Sequence, residues 1–134
     1  MGHLYEKTIT VPITAAGTAD EFYGCVASPG RWRIKAVRFA PATASAANGT
    51  NYATVDVLTN DGAGGAYASA VTPITTATVA LAVDTPRSFT LLTTAAGRAA
   101  QHVTTNAMIK VGITHAGTGA VVHGAIELTL EKVP

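Results

Sequence analysis

Four histidines and one cysteine, His3, His102, His115, His123 and Cys25, are the residues of this chain whose side chains most readily hold a transition metal. Their spacings match no metal motif. If His115 and His123 flank a flat hairpin, they fall on its opposite faces, so the pattern predicts no metal site. Nucleophilic catalysis needs Ser or Cys beside a base, and there is no G-x-S-x-G elbow and no comparable context around Cys25. Asp20 and Glu21 are adjacent, so on a strand they point apart and are poor partners for glycosidase-type work. Gly117-Thr-Gly119 and the run Gly62-Ala-Gly-Gly65 have the glycine content of a phosphate loop. Neither precedes a helix whose N-terminus would supply donors, and both read as turns. Asn48-Gly-Thr50 fits a glycosylation sequon only by chance when no secretion signal accompanies it. No catalytic, cofactor-binding or metal residue is therefore expected, nor enzyme activity.

One cluster does stand out. Arg31, Arg33, Lys35 and Arg38 are four of the nine basic residues and share one stretch without an acid among them. Such a row serves as a solvated strand edge, or as a patch that docks on an acidic protein surface with Trp32 as its anchor. Nucleic acid is a weaker third reading, because stacking aromatics are sparse.

The elements that position these residues alternate with period two, and no sustained helical period appears. Thr8 to Thr14 sets Ile9, Val11 and Ile13 on one face. Pro12, which lacks a backbone donor, sends this strand to a sheet edge or makes it an arm. Phe22 to Ala27 reads as a strand, and Ser28-Pro-Gly-Arg31 turns into the next, Trp32 to Ala40. There the apolar residues move from even positions (Trp32, Ile34) to odd ones (Val37, Phe39), which predicts a β-bulge near Lys35-Ala36. Tyr52 to Leu58 and Thr78 to Asp84 alternate, the latter with Val79, Leu81 and Val83 facing in. Ser88 to Leu92 follows Pro86 with Phe89 and Leu91. The turn Ala116-Gly-Thr-Gly119 predicts a hairpin in which His115 faces Ala120, Ile113 faces Val122 and Ile109 faces Ile126. Met108 then meets Glu127, with Lys110 in reach of that carboxylate.

About eight short, mainly antiparallel strands of this kind predict an all-β chain, one β-sandwich or jelly roll. Residues 1–14 form its N-terminal arm or edge strand and residues 15–134 the sandwich. With 48% hydrophobic and only 13% charged residues, few charges remain to coat a monomer, so homo-oligomerisation is expected. A formal net charge of +1 offers no field for nucleic acid or an anionic membrane. A single cysteine excludes an intrachain disulfide, and no apolar run approaches the roughly 20 residues of a membrane helix. The expectation is a soluble chain made in the cytosol.

The stretch Pro29 to Pro41, the strand Asn51 to Val57 and the segment Val111 to Gly119 together resemble the small jelly-roll decoration proteins of tailed-bacteriophage heads. The likeness spans most of the chain and is one of pattern and size, not of a diagnostic motif. It implies a cement protein of the virion exterior, made in the host cytoplasm. Such a protein binds the major capsid protein of the expanded capsid as a trimer, without cofactor, nucleic acid or membrane. Its partner-binding residues would be Leu4 and Tyr5 of the N-terminal segment together with Arg31, Trp32, Arg33, Lys35 and Arg38. The competing reading is a carbohydrate-binding jelly-roll module of a phage tail fibre or spike. Only eight aromatic residues are present to serve both core and sugar platform.

Overall fold

Alternating Val, Ile and Thr favour a pleated strand with one buried face, and the long elements obey that pattern. The computed structural model describes residues 5–16 and 19–134, with the side chain of Ala16 left aside. Along the chain run β1 (Glu6–Ala16), β2 (Asp20–Cys25), β3 (Arg31–Pro41), β4 (Tyr52–Thr59), β5 (Ala68–Ser69), β6 (Val71–Thr72) and β7 (Ile74–Thr75). They are followed by β8 (Arg87–Ser88), β9 (Thr90–Leu91), the helix α1 (Ala95–Gln101), β10 (His102–Thr104), β11 (Met108–Ala116) and β12 (Val121–Val133).

The first sheet has the order β1-β12-β3-β10, with β8 also beside β3. The second has the order β2-β11-β4-β5, with β7 also beside β4. A short ribbon pairs β6 with β9. All pairings are antiparallel. The long strands therefore alternate between sheets as the chain advances, which is the wrap of a jelly roll. One core lies between the sheets. Val11, Ile13, Ile34, Val37, Phe39, Ile126, Leu128 and Leu130 enter it from the first, and Val55, Val57, Ile109, Val111 and Ile113 from the second.

Several expectations hold. Pro12 sits in β1, which is an outer strand of the first sheet and pairs only with β12. The proposed boundary at residue 14 falls inside this strand, so residues 6–16 belong to the sandwich itself. The bulge lies where the parity switch put it. Thr129 faces Ala36 and Leu130 faces Ile34, leaving Lys35 without a counterpart, so Trp32, Ile34, Val37 and Phe39 can all point inward.

The last hairpin does not. The turn closes, with Gly119 N–H donating to the Ala116 carbonyl at 2.9 Å, but β11 and β12 enter different sheets. His115 lies opposite Ala53, and Lys110 reaches Glu21 while Glu127 meets Arg38. The apolar faces are as expected, yet they confront each other across the core instead of lying side by side. Alternation assigns a strand's faces and is silent on its neighbour. Gly124, in β12, supplies a further constraint. It has φ +148°, and a Cβ there would come within 2.1 Å of the Ala40 carbonyl oxygen, so only glycine permits this approach of β3.

Two other stretches differ from expectation. Thr78 to Asp84 is not a strand: Leu81 alone makes a bridge, to Ser45, and Val83 is exposed. Residues 95–101 form a helix that the sequence period does not announce. Thr94 caps it by accepting from Gly97 N–H at 3.1 Å, and Gln101 closes it by donating to the carbonyls of Ala70 and Leu92 at 3.0 and 2.8 Å. Neither this helix nor any other among the described residues is long and apolar enough to cross a membrane.

Candidate interaction surfaces

The basic row lies on the outer face of the first sheet, where its acid-free sequence turns out to have acid neighbours in space. Arg33 pairs with Glu131 at 2.6 Å, Arg38 with Glu127 at 3.1 Å and Lys35 with Glu6. Arg31 donates to the main-chain oxygen of Pro134 at 2.6 Å. The carboxylates come from β12, which flanks β3, and from β1, one strand further out. The bond to Glu6 raises the Lys35 pKa above the ordinary lysine value. The row is thus a set of tied charges, and its field toward a partner is muted. Between these pairs the face carries short side chains: Thr8, Thr10, Pro12 and Thr14 of β1 and Ala36 and Ala40 of β3 are exposed.

Trp32 is not the exposed anchor the sequence suggested. It is 5% exposed, and its indole N–H donates to the Ser28 carbonyl at 3.3 Å. The ammonium groups of Lys7 and Lys132 lie 5.7 and 5.9 Å from its ring. Period-two alternation, which makes Arg31, Arg33 and Lys35 face out, necessarily turns Trp32 in. Tyr5 is well exposed beside the start of β1, and Leu4 lies outside the described residues.

The outer face of the second sheet has a different relief. Gly112 of β11 lies opposite Glu21 of β2 on one side and Asp56 of β4 on the other. Having no side chain, it leaves a depression between two carboxylates. A hollow of about 490 Å³ on the β2 side and one of about 280 Å³ on the β4 side share Glu21, Gly112 and Thr114. They make one groove running across the strands.

In the next row, Tyr23 faces Lys110 and Lys110 faces Leu58. The Tyr23 hydroxyl donates to Glu21, and Lys110 lies 3.4 Å from the same carboxylate. These partners lower the Glu21 pKa, the tyrosine bond contributing most, and the shared proton raises that of Tyr23. The Lys110 ammonium also sits 4.3 Å over the ring of Tyr67, which is tilted against Tyr23 with centroids 6.4 Å apart. Asp56 is half-buried, and desolvation pushes its pKa up against the opposing effect of its hydrogen bonds. Its Oδ1 accepts from Ser69 Oγ at 2.6 Å and from Val57 N–H at 2.8 Å.

Sequence reasoning missed this constellation because it compared Glu21 with its neighbour Asp20, while the relevant carboxylate is on β4. The one available signal was a glycine inside a strand, Lys110-Val-Gly-Ile-Thr114, which marks a bulge or a close approach.

Among the described residues, which do not include His3, no three His, Cys, Asp or Glu side chains are grouped to hold a metal ion. His115 accepts from Ala120 N–H through Nδ1 at 3.3 Å, and its Nε2 is buried without a partner. Cys25 is an exposed thiol, not a core residue. Set against protein-family models, curated proteins and solved structures, the chain has no match.

Proposed function

We propose that this chain decorates the head of a tailed bacteriophage. In this reading three copies associate, dock on the major capsid protein at the exterior of the expanded shell, and reinforce it against packaged DNA. The segments that resemble such proteins support the reading of a shared scaffold: Pro29 to Pro41 holds β3, while Asn51 to Val57 and Val111 to Gly119 cover most of β4 and β11, inner strands of the two sheets.

The observation that carries the proposal is the outer face of β1, β12 and β3. A docking surface loses affinity by immobilising long side chains and by stripping unpaired charges. This face has Thr, Ala and Pro between its charges, and its long cations are already held by carboxylates. Among the described residues no strand pairs with the outer edge of β1, which leaves it for strand addition beside the exposed Tyr5. A protein that binds only the assembled shell stabilises it by mass action, and three copies in one unit add avidity.

Light scattering and co-sedimentation with expanded, DNA-free phage heads test this. The expected particle has three times the 13.6 kDa mass of one chain and pellets with expanded heads but not with unexpanded ones. Thr10→Glu, halfway along β1 on the same outer face, should weaken that binding by at least about tenfold, as expected for an unpaired charge buried at an interface. A monomer with no affinity for expanded heads overturns the proposal.

A further inference from the structure

We propose that the groove on the outer face of the second sheet is a glycan-binding site for neutral or amino-substituted saccharides. The inference does not rest on the head-decoration reading, because the groove lies on the opposite side of the sandwich from the face assigned to the capsid.

The chemistry of the lining selects the ligand class. A saccharide ring presents hydroxyls around its rim and a patch of C–H on its face. It is recognised by fixed carboxylate and hydroxyl groups in the plane of the ring together with an aromatic side chain. Glu21 and Asp56 flank the floor at Gly112, with backbones two strand spacings or roughly 10 Å apart, room for a ring between them. Both named bonds to Asp56 fall on Oδ1, so among the described residues Oδ2 has no protein donor and is left to accept from a ligand. Thr54 and Thr114 add hydroxyls along the same groove.

Tyr23 supplies the aromatic platform. It is 50% exposed and borders the hollow, and its hydroxyl is anchored on Glu21, which fixes the ring before any ligand arrives. Tyr67 is tilted against it, with the Lys110 ammonium over the Tyr67 ring. Glu21 and Asp56 outnumber Lys110 around the groove, so uronic or sialic polymers are repelled, whereas neutral and amino sugars are not. The donors and acceptors belong to side chains on the face of a sheet, not to an open strand edge. That arrangement favours a saccharide over an extended peptide.

The floor gives a clean test. A Cβ at Gly112 would lie 3.5 Å from Leu58 Cδ1, an ordinary contact, so the backbone accepts a methyl group there, and Gly112→Val extends that group into the groove. The intact protein is titrated in a calorimeter with hexasaccharides of glucose, mannose, N-acetylglucosamine and glucosamine. A hyaluronan hexasaccharide and a lysine-rich peptide are run in parallel.

At least one neutral or amino hexasaccharide should bind, with Kd on the order of 0.1–1 mM, the strength of a few side-chain contacts in an open groove. Tyr23→Ala should weaken it at least tenfold and Gly112→Val should remove it. Arg38→Ala, on the opposite face, should leave it unchanged, each variant melting within a few degrees of the parent. Immobilised polysaccharide of the binding repeat distinguishes a cell-surface polymer from a free oligosaccharide, since only the former gains from several linked copies. Four results would overturn the proposal: no binding by any of the neutral or amino sugars, binding only to hyaluronan, binding only to the peptide, or sugar binding that survives Gly112→Val. Co-sedimentation of the Gly112→Val protein with expanded heads separates the two readings, because capsid binding should persist when the groove is filled.

Discussion

The two outer faces of the sandwich are made from the same kind of strand and differ in relief. On the first sheet most rows are filled, the hollow beside Arg33, His102 and Glu131 being only about 150 Å³, and the long side chains hold one another: Glu6, Glu131 and Glu127 tie Lys35, Arg33 and Arg38. On the second, Gly112 leaves a gap, with Glu21 and Asp56 on its two sides. A filled face with paired charges suits broad contact with another protein. A face with a gap between acceptors suits a small polar ligand. One glycine decides which of these a sheet presents.

Glycines in the two sheets give the sharpest way to break that comparison. Gly124→Ala, in β12, drives a Cβ into the Ala40 carbonyl at a backbone angle side chains rarely adopt. It should destabilise the protein by about 3 kcal/mol or more, visible in urea unfolding. Gly112→Ala, in β11, should change stability by less than about 1 kcal/mol. Equal effects at the two positions would contradict the assigned relief.

Next in size are the ion pairs. Arg33→Met leaves Glu131, whose side chain is only 10% exposed, without its partner and should cost about 1 kcal/mol. Arg38→Met strands Glu127, 41% exposed, and should cost less than about 0.5 kcal/mol. The melting temperatures of the two variants rank them.

A gain instead of a loss is expected at Asp56. Its folded pKa is raised by burial, so its ionisation costs stability at neutral pH. That cost is absent below the ordinary aspartate range and grows as pH rises through the folded value. Asp56→Asn keeps an acceptor for Ser69 and Val57 and should raise the melting temperature at pH 7 by at most about 4 °C, the equivalent of under about 1 kcal/mol. The gain should vanish at acid pH. A gain that persists there would place its origin elsewhere than in the carboxylate charge.

How far the sequence could be read follows from the range of each interaction. Pro12 marked an outer strand, and the parity switch between Ile34 and Val37 located the bulge, because both are properties of one strand. The faces of β11 and β12 were equally clear. Their partners were not, since Ile113 is buried whether Val122 sits beside it or across the core. The helix at Ala95 escaped because seven residues, mostly alanine with a central glycine, carry no apolar period. Trp32 was misplaced as an anchor although the alternation that turns Arg31 and Arg33 outward also turns it inward. The groove needed the order β2-β11-β4 before Glu21 and Asp56 could be seen as neighbours of one glycine, and no spacing along the chain contains that order.

Electron cryo-microscopy of expanded phage heads incubated with the protein shows which face meets the shell. Trimeric density is expected on the shell exterior, with β1, β12 and β3 against the capsid and the Gly112 groove turned to solvent. Density with the second sheet against the shell, or heads left bare at saturating protein, would contradict the proposal.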